Sequence, residues 1–100
     1  MKVHLYLIIA SASLLVRDIH LAGACTRLAI DLAVKQSKFN RRETSLSLCV
    51  MQKSGVITPK QRQQIAKARR RCSNAIHGGN PQPESIREAI RWARELQKLE

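Results

Sequence analysis

The segment AKARRRCSNAIHGG (residues 66–79) places Arg70, Asn74 and His77 at steps of four and three. On an α-helix those steps share a face, because each residue turns the chain by about 100°. A guanidinium can hold a phosphate through two hydrogen bonds, and an imidazole can move a proton near neutral pH. Together they suit phosphodiester chemistry in RNA with no metal. The 2′-hydroxyl would attack its own phosphate, with His77 as general acid or base and Arg70 or Arg71 stabilising the charge that develops. Asn74 would orient the imidazole or the phosphate. The plain structural reading of His77 is a last-turn histidine before Gly78 that meets the helix dipole and the cap carbonyls.

The element carrying these residues has clear ends. Thr58 suits the N-cap and Pro59 the first helical position, so a helix is expected from Pro59 to about Ile76, stopped by Gly78-Gly79-Asn80-Pro81. Its expected core face is Ile65, Cys72 and Ile76, with the polar trio roughly 140° away. A long helix is expected from Arg17 to Gln36, with Leu21, Ala22, Cys25, Leu28, Ala29, Leu32 and Ala33 as its apolar stripe. A short helix from about Ser45 to Lys53 ends before Gly55, and a last helix follows Pro83, with Ser85 and Glu88 at capping-box spacing and Ile86, Ala89, Ile90, Ala93 and Leu96 as its stripe. The fold class expected is all-α: a single domain over 1–100, a small antiparallel bundle of four helices, or five if the apolar stretch 1–16 is a helix of its own.

Charge supplies the second functional signal. The 18 Lys and Arg against 7 Asp and Glu give a net charge of +11, which implies an anionic partner. Lys67, Arg62, Arg69 and Arg71 crowd the helix of the Arg-His pair and would contact RNA phosphates. Tyr6, Phe39 and Trp92 lie far apart and offer no stacking platform for bases. At 100 residues the chain has no room for a multi-domain enzyme, and 44% hydrophobic content exceeds that of a disordered basic tail.

Cys25, Cys49 and Cys72 form no C-x-x-C pair and are odd in number, which suits buried thiols in a reducing, cytoplasmic setting. No metal is expected, since His4, His20 and His77 lack paired spacing, and no cofactor is implied. The apolar run 3–16 is too short to span a bilayer as a helix, so no membrane partner is expected. The alternative is a secreted or membrane-associated protein, for which this run and Ala10-Ser11-Ala12 would be a targeting segment.

Arginine, four to six residues, then histidine followed by glycine at the end of a bundle helix resembles the motif of the HEPN superfamily (higher eukaryotes and prokaryotes nucleotide-binding). Arg70 meets the pattern with six residues between and Arg71 with five. Cys72 follows Arg71 where active members often carry a polar residue, so Arg70 is the better match. RLAID (residues 27–31) is similar to the arginine-to-acid turn of a defence-associated HEPN-like branch, LSLCVMQKSGVITPKQ to its short middle helix and loop, and the helix from Glu84 to its closing helix. The resemblance covers about residues 18–98. It implies either a metal-independent endoribonuclease of toxin or defence type, or a relative that binds nucleotides, RNA or partner proteins without cutting; the alternative function is a non-catalytic module that recognises RNA, DNA or a larger defence protein through its basic face. It further implies a homodimer with two Arg-His sets at a shared cleft, and a cognate antitoxin or larger defence protein as partner. Asp31 would then face the Arg70 and His77 helix with Arg27 beside it. The plain reading of Arg27 and Asp31 is a surface ion pair.

Overall fold

The computed structural model describes residues 2–99, which form five α-helices and, among the described residues, no strand. They are α1 (Lys2–Leu15), α2 (Ile19–Gln36), α3 (Thr44–Lys53), α4 (Pro59–Ile76) and α5 (Pro83–Gln97). The all-α bundle is as expected, in its five-helix form. The apolar N-terminal stretch is a helix packed into the bundle, with Val3, Leu7, Ala10 and Leu14 buried. None of the described helices is long and apolar enough to cross a membrane.

The α1–α2 connection is a tight hairpin. Asp18 N–H bonds Ser13 C=O at 2.8 Å and Arg17 N–H bonds Leu14 C=O at 3.1 Å, the paired bonds of a helix end closed by a left-handed residue. Arg17 occupies that position at φ 61°, where a side chain costs about 1 kcal/mol that glycine would not. Asp18 then caps α2, accepting from Leu21 N–H. The second long helix therefore begins at Ile19 rather than at Arg17.

Helix α2 is the centre of the bundle and touches all four other helices. That position explains a correction to its stripe. Ala22, Cys25, Ala29 and Ala33 are buried as expected, but Leu21 and Leu28 are exposed, and Gly23, Thr26, Ile30 and Val34 are buried. A helix packed on several sides buries more than one stripe, and its small and β-branched faces meet the neighbours. Thr26 is accommodated because its hydroxyl donates to Ala22 C=O at 2.7 Å.

Helix α4 has the expected bounds, and Thr58 with Gln61 closes a full capping box. Its core face is Ile65, Ala68, Cys72 and Ala75, whereas Ile76 is exposed. The last turn is oriented by the contact of Ala75 with α2, which turns Ile76 outward. Helix α5 starts at Pro83 with Gln82 as an N-cap that makes no side-chain bond. Ser85 therefore lies inside the helix and not at the head of a capping box.

Gly23 fixes how closely α2 and α4 approach. A Cβ there would lie 2.6 Å from Ala75 Cβ and 3.1 Å from Cys72 C=O. His20 Nδ1 donates to Ala75 C=O nearby, and Asp31 meets Arg69 further along. Residue number rises on α2 as it falls on α4, so the two helices are antiparallel. Gly23→Ala removes a helix-weakening residue, worth roughly 1 kcal/mol of gain in isolation, but overpacks this contact. We expect a net loss of about 1–3 kcal/mol in denaturant unfolding, with unchanged or greater stability as the contrary result.

Candidate functional site: the cationic face of α4

Helix α4 carries Lys60, Arg62, Lys67, Arg69, Arg70 and Arg71 and no acidic residue. Helix α5 is organised differently. Its glutamates pair one turn along the same helix end, Glu84 with Arg87, Glu88 with Arg91 and Glu95 with Lys98. Among the described residues, one carboxylate reaches α4: Asp31 of α2 accepts from Arg69 Nε at 2.7 Å.

Asp31 is a junction between three helices. Besides Arg69 it accepts from Thr44 Oγ1 of α3 at 3.1 Å and lies 3.7 Å from Arg27 Nε. It thus faces α4, as the family resemblance implies, while keeping the Arg27 contact of the plain reading. Its strong partner on α4 is Arg69 rather than Arg70. Arg69, expected as an RNA contact, is therefore half-buried and committed to an internal pair, while Lys67 and Arg70 are exposed.

Two depressions flank α4. The first lies between α3 and α4; Leu48 and Ala66 give it an apolar floor, and Thr44, Ser45, Arg62, Arg69, Arg70 and Ser73 add the guanidiniums and hydroxyls that an oxyanion could meet. Arg62 is held there by Gln52 Oε1 and sits 3.6 Å from Cys49 Sγ. Cys49 is half-buried, while Cys25 and Cys72 are buried. Burial pushes the Cys72 thiol up to about 12, the nearby Arg27 opposing that shift and Asp31 adding to it. Burial also raises the Cys25 thiol, so both core cysteines stay protonated and apolar in character.

The second depression lies where α4 ends beside the start of α5, and includes Arg71, Asn74, His77, Asn80, Gln82 and Ser85. His77 is the C-cap residue; its N–H bonds Ser73 C=O at 3.1 Å and its side chain is exposed. Gly78 follows at φ 89°, and Gly79 N–H closes on Asn74 C=O at 2.6 Å. A Cβ at Gly79 would lie 2.7 Å from that oxygen, so the turn that sets the wall of this depression needs the second glycine. Arg71 is held toward α5 by donating to Ser85 Oγ at 3.2 Å.

The structure thus separates part of the expected trio. Arg70 and His77 share an angular face of α4 but stand two turns, about 10 Å, apart along its axis. Arg70 lines the α3 side, and Arg71 is the arginine that shares a depression with Asn74 and His77. Ser85, Asn80 and Gln82 were not expected there. A Ser after a helix-starting Pro gave no signal of it, because the contact depends on how α5 docks. No group of three or more His, Cys, Asp or Glu gathers among the described residues.

The Asp31 junction has a testable weight. Both its side chain and that of Arg69 are about one-third exposed, so water screens the pair and relieves part of its loss. Asp31→Asn keeps the volume and should lower stability by about 1–2 kcal/mol. A double-mutant cycle with Arg69→Gln should return a coupling of roughly 0.5–1 kcal/mol, and additive effects would dissolve the junction as described. In comparisons with known proteins, no family model, no curated protein and no solved structure matches this chain.

Proposed function

We propose that this chain is an RNA-directed helical domain that grips the phosphate backbone with the cationic face of α4. The observation that carries this reading is the imbalance on that helix: six basic residues, no acidic one, and Asp31 as the lone carboxylate bonded to it among the described residues. Like charges along one helix destabilise it by a few tenths of a kcal/mol per close pair. An anion that bridges them relieves that repulsion. Arg62 and Arg70 supply the contacts on the α3 side, where Ser45 adds a hydroxyl donor, and the exposed Lys67 adds a cation elsewhere on α4. The resemblance to HEPN domains agrees with a ribonucleic ligand and with a toxin or defence setting.

Binding of this kind releases counterions, so affinity should fall steeply as salt rises. In fluorescence anisotropy with a short RNA, Arg70→Ala should weaken binding by about tenfold and reduce the salt slope by about one. Affinity that ignores salt, or an Arg70→Ala variant with an unchanged slope, would remove phosphate gripping by this face. A DNA strand of the same sequence that binds equally well would remove the preference for RNA.

A second reading is favoured by the grouping of Arg71, Asn74 and His77 in one depression. In it the domain also cleaves RNA. The 2′-hydroxyl oxygen attacks the adjacent phosphorus and the 5′-oxygen departs, leaving a 2′,3′-cyclic phosphate. His77 moves the proton between these oxygens, Arg71 meets the charge on the phosphoryl oxygens, and Asn74 orients the phosphate. In EDTA the wild type should cut RNA, and His77→Ala and Arg71→Ala should each be slower by at least about a hundredfold. Cleavage that survives His77→Ala, or none by the wild type, leaves binding alone.

A further inference from the structure

Between Val34 and Ser45 the chain carries Lys35, Lys38, Arg41 and Arg42 against one acidic residue, Glu43. All four cations are exposed, and among the described residues none of them takes part in an ion pair. The loop that presents them is held at both ends. Ser37 Oγ donates to Val34 C=O at 2.7 Å and accepts from Phe39 N–H at 3.3 Å, and Ser47 Oγ of α3 accepts from Arg41 N–H at 2.7 Å. Phe39 is 8% exposed and ties the middle of the loop to the core. Cations on a backbone already in place cost less to order when an anion binds.

Lys35, Asn40, Arg41 and Arg42 line a depression that is bounded by Asp31 and Thr44. Thr44 also lines the α3–α4 depression, with Arg62 and Arg70. The two depressions therefore meet at the Asp31 junction. The carboxylate there is already taken by Arg69, Thr44 and Arg27, so its charge is answered within the junction and the cations on either side stay free.

We infer that the ligand of this surface is base-paired RNA, gripped on one side of the Asp31 junction by Arg62 and Arg70 and on the other by Lys35, Arg41 and Arg42. The inference rests on the RNA-directed reading and adds to it the form of the RNA and a second contact. The placement of the aromatic rings decides the form. A single strand offers its bases, and proteins that bind it stack those bases on aromatic side chains. This chain has three aromatic residues. Phe39, which lies in the cationic loop, is buried, and Tyr6 and Trp92 stand half-buried on α1 and α5. An A-form stem encloses its bases and presents phosphates and 2′-hydroxyls. It also carries twice the charge of one strand over the same length. A surface of guanidiniums, ammoniums and the Ser45 hydroxyl, with no exposed Phe, Tyr or Trp, fits that ligand.

The test is fluorescence anisotropy over a series of salt concentrations, with a labelled RNA hairpin stem and an unstructured RNA of the same length. Wild type should bind the stem at least about tenfold more tightly and with the steeper salt slope. Arg41→Ala/Arg42→Ala should weaken stem binding by about tenfold or more and lower the slope by about two. Arg41→Lys/Arg42→Lys keeps the charges and should keep the slope. Arg91→Ala/Arg94→Ala removes two exposed charges from α5 and should leave the slope as in wild type. Equal or tighter binding of the unstructured strand overturns the inference and leaves the RNA-directed reading in place, whereas no binding of either RNA removes both. A loop alanine variant with the wild-type slope, a lysine variant that loses it, or an α5 variant that loses as much as the loop variant also overturns the inference.

Discussion

The bundle depends on the close approach of α2 and α4 at Gly23. With hydrogen in place of a side chain, the backbone of α4 at Cys72 and the methyl of Ala75 come directly against α2. This contact sets the register of everything along the pair. It brings His20 to the last-turn carbonyl of Ala75 at one end and Asp31 to Arg69 at the other. Because α2 also packs on α1, α3 and α5, the placement of α4 decides which of its side chains are buried and which of its cations face outward.

Charge is distributed in three distinct ways on the same small body. Helix α5 neutralises itself through pairs one turn apart. Helix α4 concentrates positive charge and borrows one carboxylate from α2. Helix α1 has no charged side chain from Val3 to Val16. Such segregation costs stability on α4 through self-repulsion and on α1 through exposed apolar area. The capping box at Thr58 and the buried Ile65, Ala68, Cys72 and Ala75 offset the first cost. A molecule built this way carries its free positive charge on one side and exposed apolar side chains on another.

Much of the fold was legible in order along the chain. Thr58-Pro59 located the start of α4, and Gly78 its end, because capping and left-handed backbone are local requirements written in residue type. The stripe of α5 was read correctly because that helix buries one face only. The stripe of α2 departs from its periodicity at Leu21 and Leu28, which are exposed, because hydrophobicity alone favours the large side chains. A central helix instead admits Gly23 and Thr26, the first for its lack of volume and the second because its hydroxyl is satisfied by its own backbone. Ser85 had the spacing of a cap, but Pro83 had already begun the helix.

The residue types of the candidate site, the all-α class and the excess of positive charge on α4 are properties of the sequence, since each follows from composition or from periodicity within one element. Tertiary structure decided how those residues are divided. Arg69 is drawn inward by Asp31, Arg70 faces the α3 side, and Arg71 joins Asn74 and His77 where α5 begins. Neighbouring arginines on one helix point about 100° apart, so each meets a different neighbour. Which neighbour it meets is set by how α2, α3 and α5 dock around α4, and periodicity within α4 carries no information about that.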